Sequence, residues 1–166
     1  MGYELAVWRG MHKKIGKHMT RLVNRLLLVA VLVLSATHVR AEPLEYIGKP
    51  VRGIPVSQAV KVAKVVFVSG TPAFDGSGKL AVGDFSAQMK QVMDNMTAIL
   101  KASGAGWDRV VKTNVLLMRP GDFAEMNRIY ATYFADGKYP ARTTVVVAGL
   151  PHLDFLLEIE CEALLE

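Results

Sequence analysis

The spacing of apolar and polar positions changes character along the chain, and each change marks an element. Leu26–Leu34 is an unbroken apolar run. Residues 42–55 carry Pro43, Gly48, Pro50, Gly53 and Pro55 and read as an irregular lead-in. Val56–Lys61 and Lys64–Ser69 then read as strands. Within the second, Val65-Val66-Phe67-Val68 is continuously apolar, as in a strand covered on both faces. Met89, Val92, Met93, Met96, Ile99 and Leu100 recur at helical spacing. They predict a helix capped by Asp84 or Ser86, ending near Ala102 ahead of Gly104. Val110–Met118 is the next strand, broken by Arg119-Pro120-Gly121. Asp122 followed by Glu125 resembles a capping box. The helix it opens places Phe123, Met126, Ile129, Tyr130, Tyr133 and Phe134 on its buried side. Strands at Ala141–Val147 and Leu156–Leu164 complete the chain, with a turn at Gly149-Leu150-Pro151.

The resulting order, β-β-α-β-α-β-β, predicts an α+β fold: a mixed sheet with both helices on one face. The last strand alternates. Leu157, Ile159, Cys161 and Ala163 point one way, and Glu158, Glu160 and Glu162 the other. The first set suits the helices. The second puts three carboxylates on the face the helices leave open, and self-association enclosing a polar cavity would explain them.

Charge alters the picture at the N-terminus. The 166 residues have a formal charge of +5. Up to Ala41, however, seven basic residues (Arg9, Lys13, Lys14, Lys17, Arg21, Arg25 and Arg40) face one acid, Glu4. From Glu42 onward 14 acidic side chains slightly outnumber 13 basic ones. The body is nearly neutral, which argues against a nucleic-acid partner. Residues 1–41 have the layout of a secretory signal: a basic stretch, the apolar run, and Val39 and Ala41 spaced as a signal peptidase accepts. Cleavage is expected after Ala41, giving an exported, periplasmic protein with no membrane attachment once the leader is gone. The competing reading is an uncleaved anchor. Met11 and Met19 are alternative starts to Met1. The single cysteine, Cys161, excludes an internal disulfide and reads as a buried thiol.

The body holds one histidine, His152, and no HExxH, Walker loop, GxGxxG or nucleophile elbow. No metal or cofactor is expected. What remains is an arginine and carboxylates on strands. Arg142 shares a face with Thr144 and Val146. A guanidinium there needs a partner, and its planar fork suits a carboxylate. That partner is either internal, such as Glu158, or carried by a ligand.

Several segments, in order from Val56 to the C-terminus, resemble the RidA/YjgF family of reactive-intermediate (enamine/imine) deaminases. They include Phe67-Val68-Ser69-Gly70, Val111-Lys112-Thr113-Asn114-Val115, Asn127-Arg128-Ile129-Tyr130, Tyr139-Pro140-Ala141-Arg142-Thr143-Thr144-Val145 and Leu157-Glu158-Ile159-Glu160. The resemblance implies a chorismate-mutase-like fold over residues 56–166, assembled as a homotrimer with clefts between subunits. It further implies that Arg142 grips the carboxylate of a 2-imino acid and that Glu158 activates the attacking water. Ser69, Gly70 and Thr144 would help line the pocket, with Asn127 near it. The implied reaction is cofactor-free hydrolysis of 2-imino or enamine acids to 2-oxo acids and ammonium. The alternative is a non-catalytic small-carboxylate-binding protein of the same fold. RNA cleavage, suggested for some members, fits poorly with a neutral, exported body. Val56 stands where active members usually carry a tyrosine, which makes the pocket more apolar.

Overall fold

A computed structural model of the chain describes residues 19, 21–22, 41–49, 53–135 and 137–166. The leader expected over residues 1–41 lies almost wholly outside the described residues. Among the described residues no helix is long and apolar enough to cross a membrane. The chain divides into two compact units, Met1–Ala41 and Glu42–Glu166, and the sheet belongs to the second.

That unit runs β1 (Leu44–Ile47), β2 (Ala59–Val62), β3 (Val65–Thr71), α1 (Phe85–Ala102), β4 (Val110–Leu117), α2 (Phe123–Ala131), β5 (Ala141–Val146) and β6 (Leu157–Leu164). Six strands form one sheet in the order β1-β2-β3-β6-β4-β5. Neighbours are antiparallel except β4 and β5, which the α2 crossover leaves parallel. The result is the expected mixed sheet with two helices. The short return after β5 carries the chain past β4, so β6 sits centrally between β3 and β4.

Three local expectations are corrected. The lead-in is not wholly irregular, because β1 pairs with β2 from Leu44↔Val62 to Ile47↔Ala59. Leu-Glu-Tyr-Ile buries only Ile47 and fills just the short gap between Pro43 and Gly48. Gly48 turns the chain at φ +80°, and a Cβ there would strike the Gln58 side chain. Next, Asp122 does not cap α2. Its backbone is already helical, and its carboxylate pairs with Arg119 at 2.7 Å. Glu125 bonds Ser86 and Arg128 instead of reaching back, and this holds its carboxyl down at about 2. Finally, α2 is shorter than its apolar stripe suggests, and Phe123 is 47% exposed rather than buried.

The core lies between α1 and the sheet. Met89, Val92, Met93, Met96 and Leu100 pack on Val66, Val115, Leu117, Leu157 and Ile159, all essentially inaccessible. Asp84 caps α1 by accepting from the Ala87 N–H, as expected. Gln88, fully buried, donates to the carbonyls of Ala81 and Asp154 and accepts from the Leu156 N–H. One amide thus ties the loop before α1 to the turn before β6, with its polar atoms satisfied.

Candidate active site

β6 alternates as its sequence implies. Leu157, Ile159, Cys161 and Ala163 are buried under the helices, and Glu158, Glu160 and Glu162 lie on the open face. Burial, helped by the charges of Glu160 and Glu162, pushes the Cys161 thiol up to about 12, which suits an inert core group. On the open face Asn114 donates to Glu160 at 2.7 Å, and Lys112 donates to Thr143 at 2.8 Å.

Arg142 lies on the other side. In register it is the partner of buried Thr113, and Thr144 is the partner of buried Val115. Both therefore project toward the helix face. The guanidinium of Arg142 donates to Asn127 Oδ1 at 2.6 Å, sits 3.6 Å from Met126 Sδ, and lies 4.8 Å above the Tyr130 ring. Tyr130 is held beneath it by a buried 2.8 Å hydrogen bond between its hydroxyl and Thr113. Burial raises the phenol against the opposing effects of Thr113 and Arg142, so the ring faces the cation in its neutral form. The group borders a cavity of about 420 Å³ that Tyr139 and Pro140 also line.

Glu158 pairs in register with Leu116 on the opposite face. It lies against Gly70, where an added Cβ would come within 2.6 Å of Glu158 Oε1. The glycine is thus required by close approach of a side chain, not by an unusual φ. Partial burial, with a smaller contribution from Glu160, raises the Glu158 carboxyl above the usual range. Beside it, the Ser69 hydroxyl donates to the Ser57 carbonyl at 2.7 Å. Ser69 therefore fastens β3 to the segment before β2.

The site residues thus form two clusters. Arg142, Asn127 and Thr144 are together, and Ser69, Gly70 and Glu158 are together, but the sheet separates the sets. The internal Arg142–Glu158 bridge considered from sequence is absent: no ion pair among the described residues involves either group. Tyr130 is the partner that sequence reasoning assigned only to the core. Its position three residues after Asn127, on the same face of α2, is the signal that would have placed it under Arg142. Thr144 adds a buried hydroxyl with no hydrogen-bond partner among the described residues, on the same strand face as Arg142.

Comparison with known proteins agrees with this architecture. The chain is 40% identical over 151 residues to reactive intermediate deaminase A, chloroplastic, of Arabidopsis thaliana, covering 90% of this chain and 80% of that protein. It is 42% identical over 111 residues to a 2-iminobutanoate/2-iminopropanoate deaminase of Homo sapiens, covering 66% and 80%. Among solved structures, RidA from the Antarctic bacterium Psychrobacter sp. superposes with a TM-score of 0.68 at 37% identity, over 73% of this chain and 99% of that one. E. coli TdcF with bound serine gives 0.67 at 31% identity, over 74% and 99%. Residues 49–165 match the family described as endoribonuclease L-PSP. By this match and these relatives, the chain belongs to the endoribonuclease L-PSP (RidA/YjgF) family.

Proposed function

We propose that the chain is an exported, cofactor-independent deaminase that hydrolyses 2-imino acids and their enamine tautomers to 2-oxo acids and ammonium, working as a homotrimer. The observation that carries this reading is the division of the site. Among the described residues Arg142 has no carboxylate partner, and it borders an open cavity, whereas Glu158 faces the other side of the sheet. Apposing the Arg142 cluster of one copy to the Glu158 cluster of the next puts a carboxylate clamp opposite a carboxylate base. Relatives named as imine deaminases support the chemistry.

Arg142 keeps guanidinium donors for a ligand carboxylate while Asn127 and the Tyr130 ring fix its plane. The imine carbon of the bound acid is already electrophilic, more so when its nitrogen is protonated. Glu158 takes a proton from water as the water oxygen bonds to that carbon, and the C=N bond becomes a C–N single bond. Glu158 returns that proton to the amine nitrogen; the hydroxyl proton then passes to Glu158 as the C=O bond forms and the C–N bond breaks, and the departing ammonia takes this proton up as ammonium. The raised carboxyl of Glu158 brings its proton affinity closer to neutrality, as this two-way transfer requires. Fixing the acid beside an oriented water supplies most of the acceleration.

The test generates 2-iminopropanoate from alanine with an amino-acid oxidase and traps it with semicarbazide. The mature protein should lower semicarbazone formation, and Arg142→Ala should abolish the effect. Unchanged semicarbazone formation with the wild-type protein would refute the reading. Light scattering should give three times the chain mass, and mass spectrometry should find a mature N-terminus at Glu42. A second reading, a non-catalytic carboxylate binder, is favoured by Val56, which leaves the cavity beside Gly70 without a phenol. It predicts ligand-dependent thermal stabilisation with no turnover.

A further inference from the structure

A cavity of about 690 Å³, which the proposed chemistry does not use, lies where the short turn Trp107–Arg109 and the opening of β4 meet the segment after α2. Trp107, Tyr133, Phe134 and Tyr139 line it, together with Asp108 and Lys138. Tyr139 also lines the cavity bordered by Arg142, so the two spaces are neighbours that share one ring. The volume falls within the range of small-molecule sites.

The rings form one packed set. Between centroids, Phe134 meets Trp107 edge-on at 5.3 Å, Tyr139 edge-on at 5.9 Å and Tyr130 tilted at 4.8 Å. Tyr133 meets Trp107 at 5.8 Å. The polar tips of two rings are spent on α1. The Trp107 indole N–H donates to Thr97 Oγ1 at 2.8 Å, and the Tyr133 hydroxyl donates to Asp94 at 2.7 Å. What those two rings offer the cavity is therefore carbon, held in place from behind. Aromatic walls favour an aromatic guest over an aliphatic one of similar size, because ring quadrupoles add to the area buried.

Two charged side chains line the same space. Asp108 folds back over Gly106, where an added Cβ would come within 2.6 Å of Asp108 Oδ1. Lys138 is exposed beside Tyr139. Among the described residues neither takes part in an ion pair. A simple anion would be drawn to one of these groups and repelled by the other, and a simple cation likewise. A ligand that carries both charges is attracted by both.

We infer that this cavity binds a zwitterionic aromatic 2-amino acid, with its ring against Trp107 and Phe134, its carboxylate toward Lys138 and its ammonium toward Asp108. The site is separate from the Arg142 cavity, and the inference does not depend on the deaminase reading.

The test titrates L-phenylalanine into the full chain by calorimetry. Binding should persist in Arg142→Ala. Lys138→Gln and Asp108→Asn, both at exposed positions, should each weaken it about two- to fivefold, the worth of one exposed ion pair. L-Cyclohexylalanine, phenylpropanoate and phenylethylamine lack the aromatic ring, the ammonium and the carboxylate in turn, and each should bind more weakly than phenylalanine. Fluorescence locates the ligand. Phenylalanine does not absorb where indole is excited, so an emission change that disappears in Trp107→Phe reports contact at this wall, Trp8 being the chain's other tryptophan. Loss of binding in Arg142→Ala overturns the inference by moving the ligand to the neighbouring cavity. Binding that neither charge variant weakens, or that phenylpropanoate or phenylethylamine matches, overturns it too, as does the absence of binding at millimolar phenylalanine.

Discussion

The two faces of the sheet follow different rules. On the helix face, Leu157, Ile159, Cys161 and Ala163 disappear under α1 and α2, and even the buried Gln88 amide is fully bonded. On the open face, Phe67 is 46% exposed, Val145 42% and Tyr46 65%, and three glutamates stand among them. One face is completed by the chain's own helices. The other carries apolar area and raised carboxyl chemistry that a single copy leaves to solvent. On β6, core packing and the candidate base thus stand on opposite sides of one strand, one residue apart, while Arg142 lies on the helix face of β5.

The largest test of this contrast is a pair of truncations. Leu157→Ala should cost about 2–5 kcal/mol in urea unfolding, since it opens a cavity in a closed core. Phe67→Ala should cost the isolated chain under about 1 kcal/mol, because nearly half of that side chain is already in water. It should instead weaken self-association, read as a shift to lower mass on dilution. Equal destabilisation of the isolated chain by both changes would break the comparison. A smaller effect comes from Tyr130→Phe, which leaves the Thr113 hydroxyl buried without its partner. About 1–2 kcal/mol should be lost while the aromatic face under Arg142 stays, so ligand affinity should move less than stability does.

The smallest effect is the pH dependence of Glu158. Its folded carboxyl is raised, so below the ordinary glutamate value near about 4.3 both folded and unfolded chains hold the proton and no penalty exists. As pH rises through the unfolded and then the folded value, the folded state is penalised for ionising. Glu158→Gln should therefore match the wild type in melting temperature at acid pH and exceed it slightly at neutral pH. A Gln variant that is less stable at neutral pH would mean that the carboxylate is held by a favourable partner.

Much of this division was legible in the sequence, for a physical reason. Period-two alternation in β6 is a direct record of two unlike environments, and the methionine stripe of α1 records one. β1 escaped notice because four residues between a proline and a glycine look like punctuation. The Asp122 capping signal misled because Arg119, three residues earlier, competes for the same carboxylate and the chain enters α2 already helical. The relation of Arg142 to Glu158 was not legible at all. Alternation sorts residues within a strand, but only register sorts them between strands. Thr113↔Arg142 and Leu116↔Glu158 have to be known before the two are seen to point apart.

β6 follows every other strand of the sheet in chain order, yet it takes the middle seat, hydrogen-bonded to β3 on one edge and β4 on the other. Until residues 157–164 emerge, those two strands have nothing between them and the methionines of α1 have half a floor. Assembly must therefore wait on contacts distant in sequence, which form slowly.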